Sequence, residues 1–118
     1  MTPYGKRTRR LPAPLQVVWE DLVNPAMTGS RVWLDLLDDE VPPRVVDSEA
    51  PNRVVWSSIW PSRPGDQVVL ELAEAGSDTA LTFTLLADGD PPDESKTGHI
   101  RRRINHLLFA DLRFSYGQ

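Results

Sequence analysis

The chain has 118 residues, with 13 Lys and Arg against 17 Asp and Glu for a net charge of −4, and no cysteine. That length supports a single domain over 1–118, burying roughly two-thirds of its unfolded surface. The acidic balance argues against a general nucleic-acid binder, and the absence of cysteine excludes disulfides, thiol catalysis and thiolate metal sites. Eleven prolines are the unusual feature. They fall between candidate elements, where a residue with fixed φ and no N–H is tolerated.

In chain order, residues 4–10 alternate weakly (Tyr4, Lys6, Thr8, Arg10) and predict a strand. Pro12 and Pro14 open a helix whose apolar face is Leu15, Val18, Trp19, Leu22 and Val23. Asn24-Pro25 stops it. Residues 26–40 hold no single period and admit a short helix and loop around Val32, Trp33, Leu36 and Leu37. From Val41 the period becomes two. Strands are predicted over Val41–Ala50 and Arg53–Trp60, then around Val68, Leu70 and Leu72, and around Leu81, Phe83 and Leu85. The last two flank a turn at Ala75-Gly76-Ser77-Asp78. One long helix follows, starting at Asp90-Pro91, Ser95 or Thr97 and ending near Phe114. Strands in a run, flanked by helices, indicate an α+β fold with a meandering antiparallel sheet.

At 100° per residue, Ile100, Ile104, Leu107, Leu108 and Phe114 form one stripe of that helix, with Asp111 in its middle. Arg102, Asn105, Phe109 and Arg113 fall mostly on the other side. A carboxylate on an apolar face is costly unless partnered, and burial raises its pKa. Two readings stay open for Asp111. It accepts hydrogen bonds from an N-terminal-strand arginine, an indole N–H or a serine hydroxyl, or it orients a polar ligand group inside a cavity. His99 and His106 lie about 10 Å apart along the helix, too far to share a metal directly. Arg101-Arg102-Arg103 wraps around the helix and is expected to pair with acids. Asp35, Asp38, Asp39 and Glu40 read as a solvated acidic loop without the spacing of a calcium loop. Ser57 and Ser58 lack a nucleophile elbow, and no P-loop or dinucleotide fingerprint is present. No metal and no cofactor are expected. The basic N-terminus is followed by two prolines and an early Glu20, which argues against a signal peptide. No stretch is apolar for long enough to span a membrane, so a cytoplasmic protein is expected.

Three segments resemble the START-like (SRPBCC) superfamily. Leu11-Pro12-Ala13-Pro14-Leu15-Gln16-Val17-Val18-Trp19-Glu20-Asp21-Leu22-Val23-Asn24-Pro25 is similar to its first helix, with an A-P-x-x-V-W-x-x-L-x-x-P pattern. Pro51-Asn52-Arg53-Val54-Val55-Trp56-Ser57 resembles a strand of the polyketide-cyclase and heat-shock ATPase-activator branches. Gly76-Ser77-Asp78-Thr79-Ala80-Leu81-Thr82-Phe83-Thr84 resembles their hairpin. The resemblance implies a helix-grip fold, an antiparallel sheet wrapped around a long C-terminal helix with an apolar ligand cavity between them. Members often run longer, and residues 26–43 are too few for their further hairpin. A shortened version is therefore expected, with five or six strands and a smaller or partly open cavity.

The function expected on this basis is binding of a small hydrophobic ligand. The expected wall is Trp19, Trp56, Trp60, Leu70, Phe83, Ile104, Leu108 and Asp111. One alternative is a protein-interaction or homodimerisation domain using an exposed sheet edge. A second is a cyclase- or hydrolase-type enzyme, with Asp111 and His106 as its acid–base candidates. Helical phase sets His106 off the Asp111 face and counts against that version, so no catalytic residue is assigned.

Overall fold

The structure, a computed structural model, describes residues 1–25 and 32–117. Strand β1 (Thr2–Leu11) leads to helix α1 (Leu15–Val23). Four strands follow: β2 (Val45–Glu49), β3 (Arg53–Ser57), β4 (Gln67–Ala75) and β5 (Asp78–Ala87). Helix α2 (Glu94–His106) continues through a π-helical segment, Leu107–Leu112, into a last turn, Arg113–Ser115. The strands form one antiparallel sheet in the order β1-β5-β4-β3-β2. The fold is the expected α+β helix grip, with five strands among the described residues. No helix among those residues is long and apolar enough to cross a membrane.

The β4–β5 hairpin follows directly from its pattern. Leu81, Phe83 and Leu85 are buried and pair with Leu72, Leu70 and Val68, on one face of the pleat. Gly76 turns the chain with a φ of +65°, a value that only glycine adopts without strain. The start of β1 is pinned separately. Its register shifts between Pro3 and Gly5, leaving Tyr4 bulged, and the Tyr4 hydroxyl donates to Asp66 Oδ2 at 3.3 Å. Burial and the nearby Asp66 carboxylate push the Tyr4 phenol well above its ordinary value. Arg63 also donates to Asp66, and Asp66 Oδ1 accepts the Asp88 N–H at 3.0 Å. One buried carboxylate thus ties β1, the β3–β4 turn and the end of β5 together.

Three boundaries differ from the expectation. The expected strand Val41–Ala50 is a strand only over Val45–Glu49, because Pro42 and Pro43 cannot donate to a ladder. The expected strand Arg53–Trp60 ends at Ser57, and beyond it the alternation is lost, so Ile59 and Trp60 both enter the core. Helix α2 starts at none of the three expected positions. Asp93 is its N-cap, accepting the Lys96 N–H at 2.8 Å. Of the short helix and loop expected in 26–40, residues 26–31 lie outside the described residues, and residues 32–40 form no helix.

The tryptophans hold α1 to the sheet. Trp56 donates its indole N–H to Leu22 O at 2.8 Å, satisfying a carbonyl that the helix end leaves free. Trp19 donates to Arg53 O at 3.3 Å, and Trp33 stacks on Trp56 with ring centroids 6.1 Å apart. Between sheet and helix lies a continuous core that includes Leu70, Phe83, Ile104, Leu108 and Leu112. Each such fully buried side chain contributes about 1.5–3 kcal/mol.

Candidate functional site

The C-terminal helix carries the residues of interest, and its π-helical segment decides where they point. Through His106 the apolar stripe keeps α-helical phase, with Ile100 and Ile104 fully buried. The π segment closes wider turns, so later residues lag behind a 100° step. Phe114, expected on the stripe, is 77% exposed. Phe109, expected on the other side, is buried and packs on Phe83 with ring centroids 6.1 Å apart. His106 and Asp111, five residues apart, come together, with Nε2 to Oδ1 at 3.3 Å. The helical-phase argument that separated them therefore fails, because it assumed 3.6 residues per turn throughout.

Among the described residues Asp111 finds neither an N-terminal-strand arginine, an indole nor a serine. Its Oδ1 faces His106, and its Oδ2 is buried with no hydrogen-bond partner among the described residues. Burial pushes its carboxyl above the ordinary value, against the pull of His106, with Asp35 adding to the rise and Arg103 opposing it. Beside it, Arg103 forms a two-pronged ion pair with Glu40, Nε to Oε2 at 2.7 Å and Nη2 to Oε1 at 2.8 Å. The Glu40 side chain is 0% exposed, so it leaves the acidic loop that the sequence suggested was solvated. Burial alone would raise its pKa, yet the hydrogen bonds from Arg103 and the Leu37 N–H hold it below the ordinary range. The same pairing raises Arg103.

On the other flank of the helix the situation is reversed. A cleft of about 250 Å³ opens between β1 and α2, lined by Arg7, Phe83, Gly98, Arg101, Arg102 and Asn105. Arg7 pairs in register with Phe83, so both lie on the sheet face that the helix grips. Gly5 lies on that face too, opposite Leu85, and its bare Cα makes room for the helix. A Cβ there would stand 3.0 Å from both Arg101 Cγ and Leu85 Cδ1. No carboxylate among the described residues pairs with Arg7, Arg101 or Arg102. Asn105 Oδ1 is buried without a hydrogen-bond partner among the described residues.

The expected wall residues divide among four places. Trp56, Leu70, Ile104 and Leu108 are fully buried in the continuous core. Phe83 reaches the β1–α2 cleft from that core. Trp60 lines a different cleft of about 230 Å³ with Val41, Pro42, Pro61 and Pro64, its indole N–H buried and without a partner among the described residues. Trp19 is half-buried against the core, and Asp111 lies with the Glu40–Arg103 group. Arg7, Arg101, Arg102 and Asn105 were not singled out as binding residues. The signal available was the arginine run itself, of which only Arg103 holds an acid among the described residues. No three His, Asp or Glu side chains among the described residues gather as a metal site.

No protein-family model and no curated protein matches this sequence. Solved structures do match its shape. The solution structure of the Aha1 dimer from Colwellia psychrerythraea aligns with a TM-score of 0.66 at 13% identity, over 96% of this chain and 94% of that one. The crystal structure of CalU16 from Micromonospora echinospora aligns with a TM-score of 0.64 at 20% identity, over 87% of this chain and 68% of that one. Identities this low establish the architecture and nothing finer: the chain has a START-like, helix-grip fold.

Proposed function

We propose that the protein binds a small molecule in the cleft between β1 and α2, with Phe83 as its apolar floor. The observation that supports this best is the cleft itself. About 250 Å³ stays open between sheet and helix, beside the packed core. The volume lies just under the usual range for ligand pockets, and suits a single ring or a short chain better than a lipid. The expected hydrophobic ligand is thus narrowed to a small one that meets a mostly polar rim. His106 and Asp111 pair outside this cleft, so the reading is of a binding module and not of a cyclase or hydrolase. A cytoplasmic setting is part of the proposal.

Gly98 supplies the test. It lies on α2 in the cleft lining, and a Cβ there meets only the guanidinium end of Arg102, with Nη1 at 3.2 Å. Gly98→Leu should fold with equal or higher stability, because leucine favours helix by roughly 1 kcal/mol over glycine. It should fill the cleft. Amide chemical shifts near Phe83 and Asn105 are expected to respond to small aromatic fragments in the parent and not in Gly98→Leu. Fragments that shift only other regions of the chain would overturn the assignment.

One edge of the sheet favours a second reading, self-association. Strand β2 is exposed throughout, and Val45 and Val46 lie open beside Val41. The Colwellia Aha1 neighbour was solved as a dimer. Light scattering across concentration reports this directly; a monomer at all concentrations would remove it.

A further inference from the structure

We infer that the ligand of the β1–α2 cleft carries a compact anionic group, a carboxylate or a phosphate, held by Arg7, Arg101 and Arg102. This rests on the cleft reading above and deepens it.

Charge is the first argument. The chain is acidic by four charges, so an arginine has many acids available to it. Arg10, Arg53, Arg63 and Arg103 each hold a carboxylate: Asp78, Asp47, Asp66 and Glu40. Arg7, Arg101 and Arg102 hold none among the described residues, yet they converge on one cavity. Like charges brought together disfavour one another, modestly here because all three side chains are exposed to water. An anion bound among them relieves that cost, and the planar guanidinium fork suits the two oxygens of a carboxylate or phosphate.

The backbone supplies the second argument. Arg7 is fixed on the gripped face by its register with Phe83. Arg101 lies with its stem close over Gly5, an approach that a side chain at position 5 would crowd. Gly98 leaves open the space beside the Arg102 guanidinium. Two glycines therefore border two of the three arginines: Gly5 admits the Arg101 stem, and Gly98 lies in the cleft lining itself. The third argument is composition. Phe83 borders these charges from the core at 1% exposure, so the apolar contact it offers is small and an acid with no more than one apolar ring suits the lining.

The test compares four probes by amide chemical shift: benzoate, phenyl phosphate, inorganic phosphate and the neutral benzyl alcohol. Benzoate or phenyl phosphate is expected to shift amides near Arg7, Phe83, Gly98 and Asn105, and to bind at least tenfold tighter than benzyl alcohol. Which of the two binds tighter distinguishes carboxylate from phosphate. Added salt should weaken the anions and leave the alcohol unchanged. Arg101→Gln with Arg102→Gln should weaken anion binding by tenfold or more. Lys6→Gln, a cation on the same strand outside the cleft lining, should change it by less than twofold. If benzyl alcohol binds as tightly as the acids and the glutamine variants do not matter, the anionic assignment is overturned while the cleft reading stands. If no probe binds at the cleft, the cleft reading falls and takes this inference with it. If phosphate alone binds, equally in all variants, the contact is a diffuse ion atmosphere and the assignment is overturned.

Discussion

Three consecutive arginines on α2 meet two different fates. Arg103 turns toward residues 35–40 and is locked to a fully desolvated Glu40, with a further hydrogen bond to Asp35 O at 3.1 Å. Arg101 and Arg102 turn toward β1 and line an open cleft without a carboxylate among the described residues. The three share a residue type and a helix. What separates them is the environment that each 100° step presents. One positive charge is used to clamp a loop onto the helix, and two are left where an outside anion can reach them. The comparison predicts that the flanks respond to mutation in opposite ways, Arg103 through stability and Arg101 with Arg102 through binding.

The largest effect belongs to the clamped side. Removing one partner of a buried ion pair leaves the other desolvated and uncompensated, which costs about 3–5 kcal/mol. Glu40→Ala should lower unfolding stability by that amount in urea titrations, since it strands Arg103 and also the Leu37 N–H. A loss below about 1 kcal/mol, the level of a surface pair, would erase the contrast between the flanks.

Asp111 gives a smaller and pH-dependent effect. Its carboxyl sits above its ordinary value of 3.8 in the folded protein because burial desolvates it, and Oδ2 has no hydrogen-bond partner among the described residues. The folded state therefore binds that proton more tightly than the unfolded chain does. The resulting stabilisation is complete below 3.8 and is lost as pH rises through the folded value. Glu40 behaves in the opposite sense. It is depressed below 4.5, so its contribution is present above that value and lost as pH falls through its folded value. Asp111→Asn should stay within about 1 kcal/mol of the parent at neutral pH, since the pair it removes involves a half-exposed His106. On acidification the parent should gain stability relative to Asp111→Asn. Parallel profiles of stability against pH would show that Asp111 is not desolvated as described.

How far such features can be read from sequence depends on the range of the interaction that sets them. The β4–β5 hairpin was legible because Leu81, Phe83 and Leu85 alternate locally and Gly76 marks the turn. The phase of α2 was legible as far as His106. Beyond it the π segment shifted Phe109 inward, Phe114 outward and Asp111 onto His106, and no residue in Leu107–Leu112 carries a signature for that widening. Phe83 was legible as an inward-facing residue. The fates of the arginines were not, because a charge run looks the same paired or unpaired. The acid that separates Arg103 from its neighbours lies 63 residues away in the chain. Arg7 was hidden for a related reason. Its strand alternates weakly, and only the register with β5 shows which side faces the helix.

The smallest expected effect on stability is also the sharpest check of the comparison. Arg101 and Arg102 are exposed and hold no carboxylate among the described residues. Replacing both with glutamine removes no ion pair seen there, keeps residues that favour helix, and relieves the repulsion between their charges and Arg7. Unfolding stability should then change by no more than about 0.5 kcal/mol, the usual range for surface substitutions away from special contacts. Arg103→Gln, one residue along the same helix, should cost several times more, because Glu40 stays behind as a desolvated carboxylate. If the double variant loses as much stability as Arg103→Gln, then Arg101 and Arg102 also serve the fold, and the cleft they line is not free for a ligand. If it loses nothing, both charges are held in place without stabilising the protein, as groups kept for an external anion should be.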